Sequence, residues 1–392
     1  MGYRFSTPKN VILAETKVTS IKDRALYLGC NYITKALSNE SNPACKKIKQ
    51  FYINHKKSKL KKRRVLAVCI NKVLTVTNKI LYTSQYNEVY LSRYKAIYHQ
   101  PSINLGLGKM LNKCHNPNLV LDLFYFDDTL VKLFTDGSKM GDSLSVGSAS
   151  VTEDLDFIHS RSLDPHSSIF TAEAMAINTT LEYVAESRSS RHIIFSDSLS
   201  VLQALQNKSA GCLNHPLIVK AKRLLLEISE NSIIENPLQL VWIPAHKEIF
   251  GNELADLYAK KATKSPPENC TVPYSDFKPY WKELAYENTV NYNLEIEATK
   301  GKQYFENFYT NTKHPWFRNK NLSKKAIVTI NRLRADHYSS ASSLARKNIV
   351  ESPACECVHN FQDADHLLWD CPRYVEQRVA MVNSFKKKTK FQ

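Results

Sequence analysis

The feature that most constrains the fold is a regular series of short apolar segments between residues 131 and 264. The first three, at residues 131–136, 143–152 and 156–162, alternate apolar and polar side chains and follow one another closely. A period of two predicts strands, and the short connections predict antiparallel hairpins. The first strand ends on Asp136, and Gly137 follows at once, as it would in an ordinary turn.

Helices and strands alternate after the third hairpin strand. Residues 191–197 and 238–243 are apolar and predict strands, while longer segments with helical spacing occupy residues 169–186, 199–206, 216–231 and 251–264. Strands joined through helices run parallel to one another. The sequence therefore predicts an α/β fold with a mixed sheet, in which three antiparallel strands precede parallel strands and helices flank the sheet.

Acidic residues recur at one edge of this sheet. Asp136 and Asp197 each end a strand, and the carboxyl ends of parallel strands share the edge where open α/β sheets bind ligands. Glu173 lies on the apolar stripe of its helix, in the first turn, where a glutamate is costly unless a cation accompanies it. If the two strands are neighbours, the carboxylates of Asp136 and Asp197 lie within about 5 Å of each other and repel. A divalent cation would neutralise them, and Mg²⁺ is the usual one where phosphate is the substrate.

Two further residues extend the pattern. Asp256 shares a helix face with Asn252 at a spacing of four, and His246 follows the strand at residues 238–243. A histidine beside a metal cluster can transfer protons near neutral pH. Each residue taken alone has an ordinary explanation: Glu173 could pair with an arginine, Asp256 could be solvated, Asn252 could cap its helix and His246 could have no role.

Taken together, these residues resemble the type 1 RNase H domain, and the resemblance covers residues 131–264. The motifs that carry it are Thr135-Asp136-Gly137-Ser138, Thr171-Ala172-Glu173, Ser196-Asp197-Ser198, and Pro244-Ala245-His246 with Gly251-Asn252-Glu253-Leu254-Ala255-Asp256. The resemblance implies a five-stranded mixed sheet, an RNase H-like fold and hydrolysis of the RNA strand of RNA–DNA hybrids.

The same resemblance assigns roles to individual residues. It implies that two Mg²⁺ ions, or Mn²⁺ in their place, are bound by Asp136, Glu173, Asp197 and Asp256, with Asp136 shared between them. It implies that His246 assists proton transfer or product release. Three further residues are expected to contact nucleic acid or to support the metal ligands: Ser138, Ser198 and Asn252.

Two other functions use the same features. A catalytically silent nucleic-acid-binding remnant would retain the fold and the basic surface without turnover. An RNase H-like nuclease that cuts DNA would use similar acids, although His246 and the run from Gly251 to Asp256 favour RNase H.

Charge is distributed unevenly along the chain, whose net charge is +17 with a pI near 9.3. Residues 1–70 hold 16 Lys/Arg and 3 Asp/Glu, whereas residues 131–264 hold 13 basic and 16 acidic residues. We therefore expect residues 1–130 to form a basic, mainly helical region that faces a polyanion such as a hybrid or a single-stranded nucleic acid. The densest basic run, residues 46–64, is open to three interpretations: a solvated loop, a nucleic-acid contact or a nuclear-import signal.

Tyr125-Phe126-Asp127-Asp128 matches the Tyr-x-Asp-Asp box of reverse transcriptases. Only 124 residues precede it, and no earlier strand-borne aspartate supplies a third metal ligand. We interpret it instead as an acidic turn.

The C-terminal third divides into a linker with an aromatic and basic helical region, residues 265–350, and a cysteine-containing segment with a basic tail, residues 351–392. Cys355, Cys357, His366 and Cys371 have the residue types of a tetrahedral Zn²⁺ site, and His359 is a competing ligand. The aromatic residues suit stacking on nucleic acid, although such stripes are more often core.

The order of these segments resembles the end of the polyprotein of LINE-type (non-LTR) retrotransposons. The resemblance rests on the domain at 131–264, then Arg332-Leu333-Arg334-Ala335-Asp336-His337, then the Cys-x-Cys, His and Cys-Pro pattern. It implies a truncated or domesticated element without the reverse transcriptase. No signal peptide and no apolar run near 18 residues is found, so we expect an intracellular protein, nuclear or cytoplasmic, that does not associate with a membrane.

Overall fold

The computed structural model describes residues 2–57, 65–85, 94–127, 129–141, 143–187, 191–208, 215–231 and 238–389. They form two compact units. One consists of Ala25–Glu283, and the other of Met1–Arg24 together with Leu284–Gln392. The predicted division of the chain into four segments stays a prediction.

Helices of five to seventeen residues dominate the described part of the chain before residue 130. They are α1 (Lys9–Thr16), α2 (Ile21–Leu37), α3 (Pro43–Lys57), α4 (Val65–Thr77), α5 (Tyr94–Tyr98), α6 (Gly106–Leu111) and α7 (Pro117–Phe124), with one strand, β1 (Ser102–Asn104), between α5 and α6. Residues 46–57 of the basic run lie on α3, and residues 58–64 lie outside the described part of the chain.

Strands and helices follow in the predicted order from residue 130. They are β2 (Leu130–Ser138), β3 (Val146–Thr152), β4 (Ile158–Leu163), α8 (Ile169–Glu186), β5 (Arg191–Ser196), α9 (Leu199–Gln206), α10 (Pro216–Asn231), β6 (Gln239–Trp242) and α11 (Phe250–Ala262). The bounds of α8, α9 and α10 coincide with those predicted, because each helix has a clear apolar stripe and a distinct start signal. Strand ends differ by one to three residues.

The described strands form one six-stranded sheet in the order β1-β6-β5-β2-β3-β4. β2, β3 and β4 are antiparallel neighbours, whereas β5 is parallel to β2 and β6 is parallel to β5. The sheet is thus mixed, as predicted, but it has six strands and not five. The additional strand is β1, which pairs in parallel with β6 over three residues and is too short to show alternation in the sequence.

Helices cover both faces of the sheet. Successive strand residues point to opposite faces, and both faces carry apolar side chains that must be buried. Leu133 and Ile194 belong to the core that packs against α8, α9 and α10. Their neighbours Phe134 and Phe195 stack on each other in the second core, with centroids 4.9 Å apart, on the side of α6, α7 and α11. This layered arrangement is consistent with an RNase H-like fold.

The remaining elements lie after residue 270. A 3₁₀ turn (Tyr274–Asp276) leads into α12 (Phe277–Glu295), and α13 (Lys302–Asn307), α14 (Lys324–Arg334), α15 (Ala341–Ala345) and α16 (Val375–Thr389) follow. Within the unit that contains the two chain ends, Glu15 is buried and accepts two hydrogen bonds from Arg334, while Tyr304 donates a third. These bonds explain how a charged residue is accommodated in that core.

None of the helices that the structure describes combines the length and the apolar character needed to cross a membrane.

Candidate functional site

Strand register brings the first two carboxylates together. In the parallel pair β2–β5, Thr135 lies opposite Ser196, so Asp136 and Asp197 follow side by side at the same edge of the sheet. The indole N–H of Trp242 donates to the backbone oxygen of Asp197 at 3.1 Å and fixes the chain just past β5.

Helix α8 supplies Glu173 from above the end of β2. The helix is capped by Ser168, whose hydroxyl accepts from the Thr171 N–H at 3.1 Å. The first turn of α8 packs tightly against Gly137. A Cβ atom at position 137 would come within 2.8 Å of the Glu173 nitrogen. Glycine at 137 therefore allows α8 to approach β2 closely enough for Glu173 to reach the strand edge.

Asp136, Glu173 and Asp197 form one compact cluster. One carboxylate oxygen from each lies within 4.8 Å of the others. Asp136 and Glu173 are buried, and Asp197 is partly buried. Carboxylates confined in this way cannot all be ionised without a cation nearby.

Burial and mutual repulsion shift the pKa of each carboxyl upward. Burial raises the pKa of Asp136 from 3.8 to about 8, with added repulsion from Asp197 and Asp256. The pKa of Glu173 is also raised, first by burial and then by Asp136 and Asp197. The pKa of Asp197 is raised by burial, although the Asn252 amide and His246 act in the opposite direction.

The cluster is compatible with Mg²⁺. Glu173 Oε2 is buried and has no hydrogen-bond partner among the described residues, which is costly for a carboxylate oxygen. Three carboxylates offer hard oxygen ligands, and a divalent cation would remove the repulsion that raises their pKa values.

Asp256 lies near the cluster but outside the group that converges. Its Oδ2 contacts Lys260 Nζ at 2.5 Å, one turn along α11. Its charge nevertheless contributes to the raised pKa values of Asp136 and Asp197. The structure thus places Asp256 beside the site with its carboxylate ion-paired.

His246 and Asn252 also act on Asp197. His246 is exposed on the turn before α11, with a left-handed φ of 55°, and its charge opposes the upward pKa shift of Asp197. Asn252 is buried, and its Nδ2 lies 3.5 Å from Asp197 Oδ2. Asn252 therefore contacts a member of the carboxylate cluster directly.

The other predicted positions are less central. Ser138 ends β2 and Ser198 begins α9, and both side chains are largely buried. Asp127, from the Tyr-x-Asp-Asp run, accepts from the Thr129 N–H and hydroxyl and pairs with Arg191 at the start of the neighbouring strand β5. Asp128 lies outside the described residues.

A second group of ligand-type side chains lies in the unit that contains the chain ends. Cys355, Cys357, His366 and Cys371 each bring one ligand atom within 4.8 Å of the rest. Cys357 Sγ lies 3.2 Å from His366 Nε2, whereas the His359 Nδ1 contacts the Phe361 carbonyl at 2.8 Å. The structure therefore brings His366, and not His359, to the cysteines.

Several residues around the carboxylates were not anticipated. Lys260 follows Asp256 by four positions on a helix, a spacing that does signal an ion pair. Asp276 contacts the start of α8 from 108 residues away, and no local pattern could have revealed it.

The mixed sheet, the helices on both faces and the carboxylates at one sheet edge define an α/β domain with a candidate site for a divalent cation. The family model for RNase H matches residues 128–264, which supports an RNase H domain in this part of the chain. No curated protein matches the sequence.

Proposed function

We propose that residues 128–264 form a metal-dependent ribonuclease H that hydrolyses the RNA strand of RNA–DNA hybrids. The observation that carries the proposal is the convergence of Asp136, Glu173 and Asp197 within 4.8 Å, inside the segment that matches RNase H. Three carboxylates this close repel one another and destabilise the fold unless a cation neutralises them. Such a cluster is therefore more easily explained as a functional metal site than as a structural feature.

Asp136, Glu173 and Asp197 would hold the metal, with Asp136 at the centre and Asp256 at the margin. When bound, two Mg²⁺ ions, or Mn²⁺ in their place, supply an activated water and stabilise the leaving 3′ oxygen. Asn252 holds the Asp197 carboxylate through its Nδ2 donor. For Asp256 to bind metal, its ion pair with Lys260 would have to break. The pair is exposed, and breaking an exposed ion pair costs little.

His246 is proposed to carry protons at this site. Its exposed position on the turn opens the imidazole to bulk water, and its lowering effect on the Asp197 pKa supports a role at the cluster. A histidine there can accept a proton from the attacking water or return one to the product.

The match to RNase H makes an RNA–DNA hybrid the proposed substrate. Such a duplex can be recognised through groove shape and 2′-hydroxyl contacts, independently of base sequence. Ser138, Ser198 and Asn252 surround the carboxylates and are proposed to support the ligands or to contact the nucleic-acid backbone. Each is buried, which favours a supporting role over a broad contact surface.

The test is a cleavage assay on a hybrid duplex labelled on the RNA strand. The full chain should cut the RNA with Mg²⁺ or Mn²⁺, and Asp197→Asn should not. If wild type and variant are equally inert with both ions, the proposal is wrong and a silent remnant is the better account. Duplex DNA in a parallel reaction identifies a DNA nuclease, because that enzyme would cut it with the same dependence on Asp197.

Nucleic-acid binding by the N-terminal region is a second proposed function. On α3, Cys45 and Ile48 are buried while Lys46, Lys47 and Lys49 are exposed. A helix with a basic outer face provides the phosphate contacts that make binding salt-dependent. Binding to single strands that weakens steeply between low and moderate salt would support it, and salt-independent binding would not.

We further propose that the cysteine cluster binds Zn²⁺. Cys355 Sγ and Cys371 Sγ lie 3.9 Å apart, and two sulfurs about 2.3 Å from a tetrahedral ion would be about 3.8 Å apart. The Cys357 backbone lowers the pKa of the Cys355 thiol to about 6, which favours the thiolate that zinc requires.

An RNase H domain followed by this cluster also supports our proposal that the chain derives from a LINE-type retrotransposon.

A further inference from the structure

Asp276 contacts the helix that carries Glu173, although it lies beyond the segment that matches RNase H. Its buried Oδ2 accepts a hydrogen bond from the Ser168 N–H at 2.8 Å. The same oxygen accepts from the Thr171 hydroxyl at 2.5 Å. Both donors belong to the start of α8, and Thr171 precedes Glu173 by two residues.

These bonds complete a cap that α8 cannot make by itself. In a capping box, the first residue's hydroxyl accepts from the N–H three residues on, and an acid at that third position returns to the first N–H. Ser168 makes the first of these bonds to the Thr171 N–H at 3.1 Å. Thr171 is too short and lacks the acid, so Asp276 supplies the carboxylate from another part of the chain. Its negative charge also favours the N-terminal end of a helix dipole.

The hydrogen bonds of Thr171 fix its side chain. Its hydroxyl has one hydrogen, which it donates to Asp276, so it must accept from Ser168 Oγ at 3.1 Å and from His215 Nε2 at 3.2 Å. Burial lowers the pKa of His215, in keeping with a neutral ring that carries its hydrogen on Nε2. The first turn of α8 is therefore held by three partners.

The loop before α8 is held from a second direction. Lys139, just past the end of β2, donates to the carbonyl oxygens of Pro165 at 3.0 Å and Ser167 at 2.6 Å. The start of α8 is thus joined to the strand that carries Asp136. Asp276 adds hydrogen bonds to the Ser168 N–H and the Thr171 hydroxyl at the same end of the helix.

Glu173 depends on this turn for its position. The Gly137 N–H at the end of β2 interacts with its carboxylate, and its Oε2 has no hydrogen-bond partner among the described residues, so the approach of α8 to β2 places the carboxylate. We propose that Asp276 is a positioning residue: by capping α8 it sets Glu173 in place to complete the metal site, an inference that rests on the proposed function.

The test compares Asp276→Ala and Asp276→Asn with wild type in the full chain. Asn116→Ala is the matched control, because Asn116 caps α7 through a 3.2 Å bond from the Leu119 N–H and α7 carries none of the cluster. Three quantities are measured: deuterium exchange of peptides from the start of α8, the dissociation constant for Mn²⁺, and hybrid cleavage against Mg²⁺ concentration.

We expect Asp276→Ala to exchange about fivefold faster at the start of α8, the effect of losing one cap, and Asp276→Asn, whose amide oxygen still accepts, to lie between Asp276→Ala and wild type. In Asp276→Ala the Mn²⁺ dissociation constant and the Mg²⁺ concentration for half-maximal cleavage should rise by about tenfold, the lower end of the range for loss of a supporting partner. Asn116→Ala should match wild type in all three, at a similar loss in melting temperature.

Unchanged Mn²⁺ affinity in both Asp276 variants, with the melting temperature lowered as in Asn116→Ala, would overturn the inference and leave Asp276 as a cap alone. If Asp276→Ala does not fold, the isosteric Asp276→Asn decides. The wild type could bind Mn²⁺ in a way that depends on Asp276 and yet leave the hybrid uncut. That result would contradict the proposed function while supporting this inference.

Discussion

Thr135 and Ser196 are register partners in neighbouring parallel strands, and the residue after each is an aspartate of the carboxylate cluster. Adjacent strands lie about 4.8 Å apart, so the pairing alone brings Asp136 and Asp197 within reach of one ion. A shift by one residue would turn one of the two carboxylates to the opposite face of the sheet. The site is therefore specified by strand register.

Gly137→Ala should damage both stability and cleavage. The new Cβ would lie 2.8 Å from the Glu173 nitrogen and 2.9 Å from Ala172 Cβ, and a helix backbone cannot move aside cheaply. We expect the free energy of unfolding to fall by about 1–3 kcal/mol, as for other overpacked sites. Urea denaturation and the hybrid assay measure the two effects.

Gly141→Ala is the matched control for Gly137→Ala. A Cβ at Gly141 would meet nothing within 4 Å, so this variant should retain wild-type stability and activity. Equal behaviour of the two alanine variants would show that α8 does not need the close approach at Gly137.

Metal-free protein should lose stability as the pH rises from about 4 to about 8. The pKa of Asp136 is raised from 3.8 to about 8, so in this range the folded protein holds a proton that the unfolded chain has lost. Rising pH then favours unfolding, by at most about 1.4 kcal/mol per pH unit for one proton. Below the unfolded pKa both states are protonated and this stability is fully present.

Asp136→Asn should remove that part of the pH dependence and should melt higher than wild type at pH 8 in EDTA. Excess Mg²⁺ should raise the melting temperature of wild type far more than that of the variant, because ligand binding stabilises only a competent site. Thermal denaturation from pH 5 to pH 9 gives both results. Parallel curves for the two proteins in EDTA would contradict the assignment.

Asp256→Asn should retain more activity than Asp197→Asn. Asp256 lies outside the converging group and pairs with Lys260 at 2.5 Å, whereas Asp197 belongs to the cluster. Single-turnover rates on the hybrid at saturating Mg²⁺ would establish the order. The reverse order would mean that the ion pair breaks when metal and substrate bind.

Lys260→Met should lower the Mg²⁺ concentration needed for half-maximal cleavage. The substitution removes a positive charge and frees Asp256, and an interaction of ~1 kcal/mol, typical of unit charges 4 Å apart in water, corresponds to about fivefold. Lys261→Met is the control, because Lys261 lies over the Tyr258 ring and contacts no carboxylate of the site. A shift of the same size in both variants would indicate a general charge effect.

His366→Ala should abolish tight zinc binding, and His359→Ala should not. His366 Nε2 lies beside Cys357 Sγ, whereas the His359 ring stacks on the His366 ring at a centroid distance of 4.2 Å and its Nδ1 contacts the Phe361 carbonyl. Zinc content after dialysis against a weak chelator provides the measurement. Loss of zinc in His359→Ala but not in His366→Ala would exchange the two ligands.

Much of the fold could be read from local pattern. The bounds of α8 follow from its apolar stripe and its capping serine, and β2 and β5 follow from their apolar runs. The short strand β1 could not be predicted, because three residues carry no periodicity and its pairing with β6 depends on distant contacts. Burial of Glu173 was foreseeable, since it shares the stripe of Ile177.

The sequence by itself determined the order of the strands and helices, the residue types at the sheet edge and the four ligand-type residues of the cysteine segment. Only the tertiary structure decided which of the acids converge: Asp136, Glu173 and Asp197 meet, whereas Asp256 lies outside this group and pairs with Lys260. It also decided which histidine joins the cysteines and which residue caps α8. Such choices depend on distances between segments up to 108 residues apart, and no periodicity in the chain encodes those distances.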